Sequence, residues 1–95
     1  MSKELVNHPL HYNSQGRKEC WDEMIDLFGF DAVVSFDVLN AYKYLYRAGL
    51  KEGNPETQDL KKIQQYINHA EKYVGKCSPQ TQAHFLVMKD ILEGN

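Results

Sequence analysis

The sequence has 95 residues, of which 42% are hydrophobic and 25% are charged, and its formal net charge is −2. This length accommodates one small domain with a modest core, and the composition is ordinary for a soluble globular protein. The slightly acidic balance argues against a protein that binds duplex DNA, because such proteins usually carry a basic excess or a basic stripe. We therefore do not expect nucleic acid to be a partner.

The cysteines and the hydropathy pattern indicate a cytoplasmic protein. Cys20 and Cys77 belong to no CxxC motif and are followed by no closely spaced histidine pair, so they predict no zinc site. We expect both to be small buried or half-buried thiols in a reducing compartment. No apolar run approaches the roughly 20 residues of a membrane span, and the N-terminus has no apolar signal core. A membrane partner is therefore not expected.

The N-terminal residues 1–17 are predicted to be irregular, ahead of a single helical domain over residues 18–95. Proline and glycine interrupt any helical period in this first segment. His11 and Tyr12 lie within it, and two interpretations stay open. They belong either to an unstructured tail, which the spacing favours, or to a segment that folds back so that the imidazole and the phenol contact a nucleobase or a phosphate.

Residues 18–28 are predicted to form the first helix, with one wide apolar side and one acidic side. The apolar side comprises Cys20, Trp21, Met24, Ile25, Leu27 and Phe28. The acidic side carries four carboxylates with the spacing i, i+3, i+4 and i+7, namely Glu19, Asp22, Glu23 and Asp26. These carboxylates form either a solvated face, which the spacing alone favours, or part of a Mg²⁺ site, since Mg²⁺ takes hard oxygen ligands.

The second helix is predicted to run from about residue 32 or 35 to residue 48. Asp31 or Ser35 is the candidate N-cap, and Gly49 is the candidate stop, because glycine tolerates the left-handed conformation that ends many helices. The apolar side of this helix consists of Val34, Val38, Ala41, Leu45 and Ala48. At about 100° per residue, the opposite side gathers an amide, an ammonium, a phenol and a guanidinium, from Asn40, Lys43, Tyr44 and Arg47.

This polar side of the second helix suits an oxyanion such as a phosphate, because cationic side chains make strong hydrogen bonds to such groups. The alternative is a solvated face paired with carboxylates, and surface pairs of that kind contribute little to stability. Lys51 follows in a loop that is predicted over residues 49–55. It either closes over a bound anion or is an ordinary solvated side chain.

The third helix has the clearest helical period, and Gly75 is its candidate stop. Three residues are candidates for its cap or its first turn: Asn54, Pro55 and Thr57. The apolar stripe consists of Leu60, Ile63, Ile67, Ala70 and Val74. One edge of that stripe carries Asp59, Lys62 and Tyr66. The side chains expected to face solvent are Lys61, Gln65, Asn68 and Lys72.

Ser78 and Pro79 open the predicted fourth helix, which runs to Leu92 and begins with a capping residue and a first-turn proline. Its apolar residues lie almost all round the helix: Ala83, Phe85, Leu86, Val87, Met88, Ile91 and Leu92. Because a monomer of this size offers little to bury such a helix on both sides, we expect a contact in a homo-oligomer. The sequence thus predicts an all-α, four-helix bundle-like domain of mostly antiparallel helices that oligomerises through them.

The chain lacks the glycine-rich phosphate loop GxxxxGK[ST] and the dinucleotide turn GxGxxG. Any phosphate must therefore be held by side chains or by helix N-termini. No Ser-His-Asp or Cys-His arrangement is indicated either. His69 and His84 lie on predicted helices without a convincing partner, and we expect them at the surface or at the edge of the core.

Several motifs resemble, in their order and spacing, those of a phage-encoded protein family. The family pattern is a His-Tyr near the N-terminus, a Glu-x-x-Asp, a G-N-x-x-K-Y-x-x-R-x-G segment, a loop lysine and a D-L-x-K-x-x-x-Y helix. Here these motifs are residues 11–12, 19–22, 40–49, 51 and 59–66. The resemblance covers about residues 8–74 and leaves out the fourth helix. The chain departs from the pattern at Leu39, which replaces a glycine and is expected to narrow any pocket beside Asn40.

Members of this family are described as a domain of unknown function and also as unusual nucleotide kinases that lack a phosphate loop. The resemblance therefore implies a Mg²⁺-dependent deoxynucleoside monophosphate kinase in the host cytoplasm, with ATP as the phosphate donor. It assigns catalysis to Lys43, Arg47 and Asp22. It assigns the metal to Glu19, Asp22 and Asp59, and it assigns nucleotide and phosphate binding to His11, Tyr12, Asn40, Tyr44, Lys51, Lys62 and Tyr66.

Two other functions stay open, and in each the ligand is a nucleotide or another small phosphorylated molecule. A non-catalytic protein that binds or sequesters a nucleotide would use the same cations without requiring a metal. A Mg²⁺-dependent nucleoside triphosphate pyrophosphohydrolase would also be small and helical. Against it, the first helix alone is carboxylate-rich in this sequence, and a second acidic helix is missing.

Overall fold

The computed structural model of the protein describes residues 19–50 and 56–94, and in these ranges the chain is helical, without a strand. The elements are α1 (Cys20–Phe28), α2 (Phe30–Leu50), α3 (Glu56–Tyr73), a 3₁₀ turn (Val74–Lys76) and α4 (Pro79–Leu92). The prediction of an all-α domain with four helices is therefore confirmed. None of the described helices has both the length and the apolar character that crossing a membrane requires.

The break between α1 and α2 consists of one residue, Gly29. Its φ angle is 93°, in the left-handed region where glycine avoids the steric penalty of a Cβ atom. The Gly29 N–H donates to the carbonyl of Ile25 at 2.8 Å, and the Gly29 carbonyl accepts from the N–H of Val33 at 3.3 Å. One glycine thus ends α1 and begins α2, and for this reason α2 starts at Phe30, earlier than predicted.

Asp31 lies inside the first turn of α2, so its prediction as the cap of this helix is wrong. Its carboxylate accepts instead from the backbone N–H of Ser78 at 3.1 Å and from the hydroxyl of Thr81 at 3.2 Å. Ser78 is the N-cap of α4, as predicted, and its Oγ accepts from the Thr81 N–H at 3.4 Å. Hydrogen bonds from Ser78 are the main cause that lowers the pKa of Asp31 below its ordinary value.

The core lies where α2 packs along α3 and where α4 covers them. Its buried members are Val34, Val38, Ala41, Ile63, Ile67, Ala70, Cys77, Phe85 and Met88. The predicted apolar sides of the second and third helices supply most of them. Leu60 is the exception, because it is 53% exposed, whereas the adjacent Asp59 is 3% exposed. The buried stripe of α3 continues from Ile63 by four residues to Asp59, not by three residues to Leu60.

The predicted ends of the second and third helices are slightly misplaced. Helix α2 continues through Gly49 to Leu50, and α3 gives way to the 3₁₀ turn before Gly75 is reached. Thr57 lies inside α3, whereas the other two candidates for the start of this helix, Asn54 and Pro55, lie outside the described residues. The four side chains of α3 that were expected to face solvent are exposed, namely Lys61, Gln65, Asn68 and Lys72.

Helix α1 lies at the edge of the fold and contains no buried residue. Trp21, Met24 and Ile25 are half-buried, whereas Leu27 is 54% and Phe28 is 68% exposed. The predicted apolar side of this helix is therefore too wide, because its last two residues are exposed. The prediction that both thiols are buried or half-buried is also wrong for one of them, because Cys77 is buried but Cys20 is exposed.

Helix α4 buries one side only against the rest of the described chain. Phe85 and Met88 are buried on that side. Leu86 is 61% exposed and Val87 is 56% exposed, so the expectation that the whole helix is covered is not met within one chain. The contact in a homo-oligomer that was inferred from this helix stays a prediction.

The difference between the two cysteines predicts a difference in their chemical reactivity. Burial is the main cause that raises the pKa of Cys77 to about 11, and the carboxylate of Asp31 adds to it. Since the thiolate is the reacting species, we expect iodoacetamide at about pH 8 to modify Cys20 at least ~100-fold faster than Cys77. Mass spectrometry of the variants Cys20→Ser and Cys77→Ser measures this, and equal labelling of the two thiols would contradict the described packing.

The hydrogen bonds of Asp31 predict a pH-dependent contribution to stability. Because the pKa of Asp31 is lower in the folded than in the unfolded chain, its contribution is present above the unfolded value of 3.8 and is lost as the pH falls through the folded value. We expect Asp31→Asn to lower the free energy of unfolding at neutral pH, and the deficit to shrink in acid. Urea unfolding over a pH series measures it. Asp90→Asn, at an exposed position of α4, is the control for the change in charge.

Candidate functional site

Three cationic side chains converge on the ring of Tyr44, which is half-buried between α2 and α3. The ammonium of Lys43 lies 4.9 Å from the ring centroid, that of Lys62 lies 5.2 Å away, and the guanidinium of Arg47 lies 5.5 Å away. Lys43 and Arg47 flank Tyr44 on α2, and Lys62 approaches from α3. Cations near an aromatic face are attracted by the ring quadrupole, which contributes about 0.5–1 kcal/mol at exposed sites. We refer to these three residues as the cationic cluster.

The cationic cluster is not neutralised by a carboxylate within the described part of the chain. Among the described side chains, the one close contact between a basic and an acidic group is that of His69 with Asp37. Lys43, Arg47 and Lys62 are all exposed. Cations that approach the same ring repel one another, and an anion that they bind together relieves that repulsion. The geometry therefore suits an anionic ligand that several cations contact together.

A row of aromatic rings leads away from the cationic cluster. Tyr44 stacks on Tyr66 with the centroids 6.0 Å apart and an angle of 14° between the planes. The ring of Tyr66 is met edge-on by Trp21 at 5.5 Å and by Phe36 at 6.0 Å. Burial is the main cause that raises the pKa of Tyr66, with Tyr44 and Asp37 adding to it, so its phenol keeps its proton at neutral pH.

Beside this row lies a hollow of about 300 Å³ between α1 on one side and α2 and α3 on the other. It is lined by Glu19, Cys20, Trp21, Met24, Phe36, Gln65 and Tyr66. We call it the α1 hollow. Its volume is at the lower end of the range for small-molecule sites, and its aromatic walls with few polar groups are typical of them. Tyr66 belongs to both the hollow and the aromatic row, so the hollow adjoins the ring that the cationic cluster surrounds.

The wall that α1 contributes to this hollow is fixed by a buried carboxylate, Asp37. Asp37 is fully buried, and it accepts from the indole N–H of Trp21 at 2.9 Å. The Nδ1 atom of His69 lies 2.6 Å from its other oxygen. Burial raises the pKa of Asp37, and the hydrogen bonds from His69 and Trp21 oppose that rise.

Aromatic packing reinforces these hydrogen bonds. The imidazole of His69 stacks on Trp21 at 3.9 Å with an angle of 11° between the planes, and it meets Tyr73 edge-on at 5.3 Å. His69 is 8% exposed. The expectation that this histidine lacks a partner is therefore wrong. A signal was present in the sequence, because Asp37 occupies a position between Val34 and Ala41 on the apolar side of its helix, where a carboxylate requires buried partners.

The structure brings together five of the residues assigned to the site: Lys43, Tyr44, Arg47, Lys62 and Tyr66. Asn40 lies on α2 one turn before Lys43 and Tyr44, and its side-chain amide donates to the carbonyl of Phe36 at 2.9 Å. Leu39, which was expected to narrow a pocket beside Asn40, is 69% exposed. The predicted ligand contacts of His11, Tyr12 and Lys51 lie outside the described residues.

The carboxylates assigned to Mg²⁺ lie in different environments. Glu19 and Asp22 are exposed at the start of α1, and Glu19 lines the α1 hollow. Asp59 is buried on α3. Among the described residues, no group of three or more His, Cys, Asp or Glu side chains is arranged to hold a metal ion. The assignment of Glu19, Asp22 and Asp59 to a metal thus stays a prediction, and it requires oxygen ligands from a substrate as well.

The buried pair of Asp37 and His69 predicts a large loss of stability when one partner is removed. His69→Leu leaves the Asp37 carboxylate buried without the hydrogen bond from His69, and we expect a loss of about 1–3 kcal/mol in the free energy of unfolding. Urea unfolding followed by circular dichroism measures it. The double variant with Asp37→Leu should lose less, since no buried charge remains. His84→Leu, at an exposed position of α4, is the control; equal effects of His69→Leu and His84→Leu would refute the role of the pair.

Comparison with known proteins places the chain in a family but supplies no activity. No curated protein and no solved structure matches it. Residues 6–68 match a family that is described as a protein of unknown function, DUF3310. The matched range includes the cationic cluster, Trp21 and Asp37; it ends one residue before His69 and leaves out α4. Because the match spans more than half of the sequence, the chain belongs to the DUF3310 family.

Proposed function

We propose that the protein binds a nucleotide through the cationic cluster and transfers a phosphoryl group from ATP to a deoxynucleoside monophosphate. The observation that supports binding is the convergence of Lys43, Arg47 and Lys62 on the ring of Tyr44, with no described carboxylate to neutralise them. A nucleotide combines the two features that this surface accommodates, which are a polyanion for the cations and a flat ring for the tyrosines. The transfer reaction itself is proposed from the sequence resemblance.

The residues of the cationic cluster supply what phosphoryl transfer requires. This reaction depends on positioning and on charge neutralisation more than on covalent chemistry by the protein. The planar guanidinium of Arg47 can hold two phosphate oxygens at once, whereas Lys43 and Lys62 act as point charges. The acceptor is a phosphate oxygen that is already ionised, so no general base is needed. As the bond from this oxygen to the γ-phosphorus forms, the bond to the β-phosphate oxygen breaks, and ADP leaves.

Mg²⁺ would enter this reaction bound to the phosphates of ATP, where it neutralises charge. Magnesium sites of this kind use one or two carboxylates together with substrate oxygens, so a cluster of three protein carboxylates is not required. Asp22 is exposed in the first turn of α1 and can supply such a carboxylate, whereas Asp59 is buried and Glu19 lines the α1 hollow. The residues of α1 thus fit a metal that is shared with the substrate.

A non-catalytic nucleotide-binding protein is the second candidate. It would use the same exposed cations, Lys43, Arg47 and Lys62, and needs no metal ligands. A nucleoside triphosphate pyrophosphohydrolase needs several carboxylates around its metal ions, and the sequence lacks a second acidic helix, so we do not propose that function.

The neighbouring lysines of α3 provide a matched pair of variants for this proposal. Lys62 belongs to the cationic cluster, whereas Lys61 is exposed and contacts no ring of the described chain. We expect Lys62→Ala to weaken the binding of deoxynucleotides and of ATP about 10-fold, as the loss of one charge-assisted contact would, and Lys61→Ala to leave it unchanged. Calorimetric titration measures the affinities. Equal effects of both variants would refute a specific role of the cluster.

Chromatography of mixtures with ATP, Mg²⁺ and each deoxynucleoside monophosphate then separates the two candidates. Formation of a deoxynucleoside diphosphate supports the kinase. Tight binding that is unchanged by a chelator, with no diphosphate from any of the monophosphates, selects the non-catalytic binder. If no nucleotide binds at all, both candidates are rejected.

A further inference from the structure

We infer that the α1 hollow is the subsite for the base of the nucleotide, with Trp21 as a wall held in place by Asp37 and His69. This inference rests on the proposed function, because it assigns the second half of a ligand whose phosphates contact the cationic cluster. It concerns a surface that adjoins the cationic cluster through Tyr66, which lines the hollow and stacks on Tyr44.

The walls of the hollow match the chemistry of a nucleobase. Trp21, Phe36 and Tyr66 present aromatic rings, and Met24 adds a polarizable thioether. Aromatic side chains stack on bases of every kind, because every base has a π face. A flat heterocycle is therefore a better occupant than an aliphatic or a strongly charged group.

The rim of the hollow carries polar groups that can meet the edge of such a ring. Gln65 on α3 offers an amide that both donates and accepts, and Glu19 before α1 offers a carboxylate that accepts. Both side chains are exposed, so they reach a ligand without prior loss of a buried contact. In an apolar hollow, a few polar groups at the rim are enough to orient a bound heterocycle.

The Trp21 wall is held in position before a ligand arrives. Its N–H is bound to the carboxylate of Asp37, and its ring is stacked on His69, so the indole has little freedom to turn. Because the indole is already ordered, it loses little conformational entropy when a ligand binds, and this lower cost raises the affinity. Asp37 and His69 are thus positioning residues for this subsite, since they act through Trp21.

The position of the hollow links it to the cationic cluster. Tyr66 lines the hollow and stacks on Tyr44, the ring around which the cations gather. One ligand can therefore place its base against Tyr66 from the hollow and extend its phosphates toward the cations. The apolar groove between α2 and α4 lacks this feature, because its lining includes neither Tyr66 nor Tyr44.

The test uses Trp21, the single tryptophan of the chain, as the reporter. Its emission is followed while the full-length protein is titrated with deoxynucleosides, with tripolyphosphate and with nucleotides. We expect the nucleosides to change the emission saturably. Phe36→Ala and Gln65→Ala should weaken nucleoside and nucleotide binding about 10-fold and leave calorimetric tripolyphosphate binding unchanged. Lys62→Ala should weaken tripolyphosphate binding and leave nucleoside binding unchanged.

The controls separate this inference from the function on which it rests. Phe28→Ala removes an exposed ring of α1 that does not line the hollow, and it should bind like the original protein.

The inference is overturned if nucleotides bind but nucleosides do not change Trp21 emission, or if both hollow variants bind nucleotides within twofold of the original protein. Nucleoside binding in the hollow without any tripolyphosphate binding overturns the phosphate assignment instead. If neither probe nor any nucleotide binds, both proposals fall. Gln65 is exposed, so its variant remains informative even if Phe36→Ala does not fold.

Discussion

Asp37 is the carboxylate on which the arrangement of three helices depends. It lies on α2, is fully buried, and binds Trp21 of α1 and His69 of α3 at the same time. Burying a carboxylate is unfavourable unless charged or hydrogen-bonding partners replace the lost water. These partners exist only when the three helices adopt one relative arrangement. The hydrophobic core favours compactness in general, whereas this network also selects the position of α1, which has no buried residue of its own.

A second carboxylate of the same helix makes a comparable link from its first turn. Asp31 binds the first turn of α4 through Ser78 and Thr81. The two carboxylates have opposite pKa shifts for a physical reason: Asp31 is exposed and receives several hydrogen bonds, which stabilise its charge, whereas burial of Asp37 outweighs its hydrogen bonds. Helix α2 is thus the element from which buried or capping carboxylates make polar contacts with each of the other three helices.

Sequence reasoning found what depends on a local period and missed what depends on distant pairs. The four helices, the apolar sides of α2 and α3 and the cap at Ser78 follow from spacing within one segment. The gathering of Lys43 and Arg47 around Tyr44 is likewise a property of one helix face. The network of Asp37 joins residues separated by 16 and 32 positions, and no local pattern specifies such pairs. The α1 hollow has walls from three helices, so no pattern within one segment predicts it either.

Trp21 connects the stability of the fold with the proposed ligand site, since the residue that attaches α1 also lines the hollow. A ligand that binds only the folded arrangement stabilises it by a free energy that rises with the logarithm of its concentration relative to its dissociation constant. Any base in the hollow would therefore also strengthen the attachment of α1, and any loss of the Asp37 network would weaken both. The cationic cluster does not share this dependence, because its side chains project from α2 and α3, whose packing against each other rests on the apolar core. The proposed phosphate half of the site is therefore a property of the core helices, whereas the proposed base half depends on a helix that a polar network holds in place.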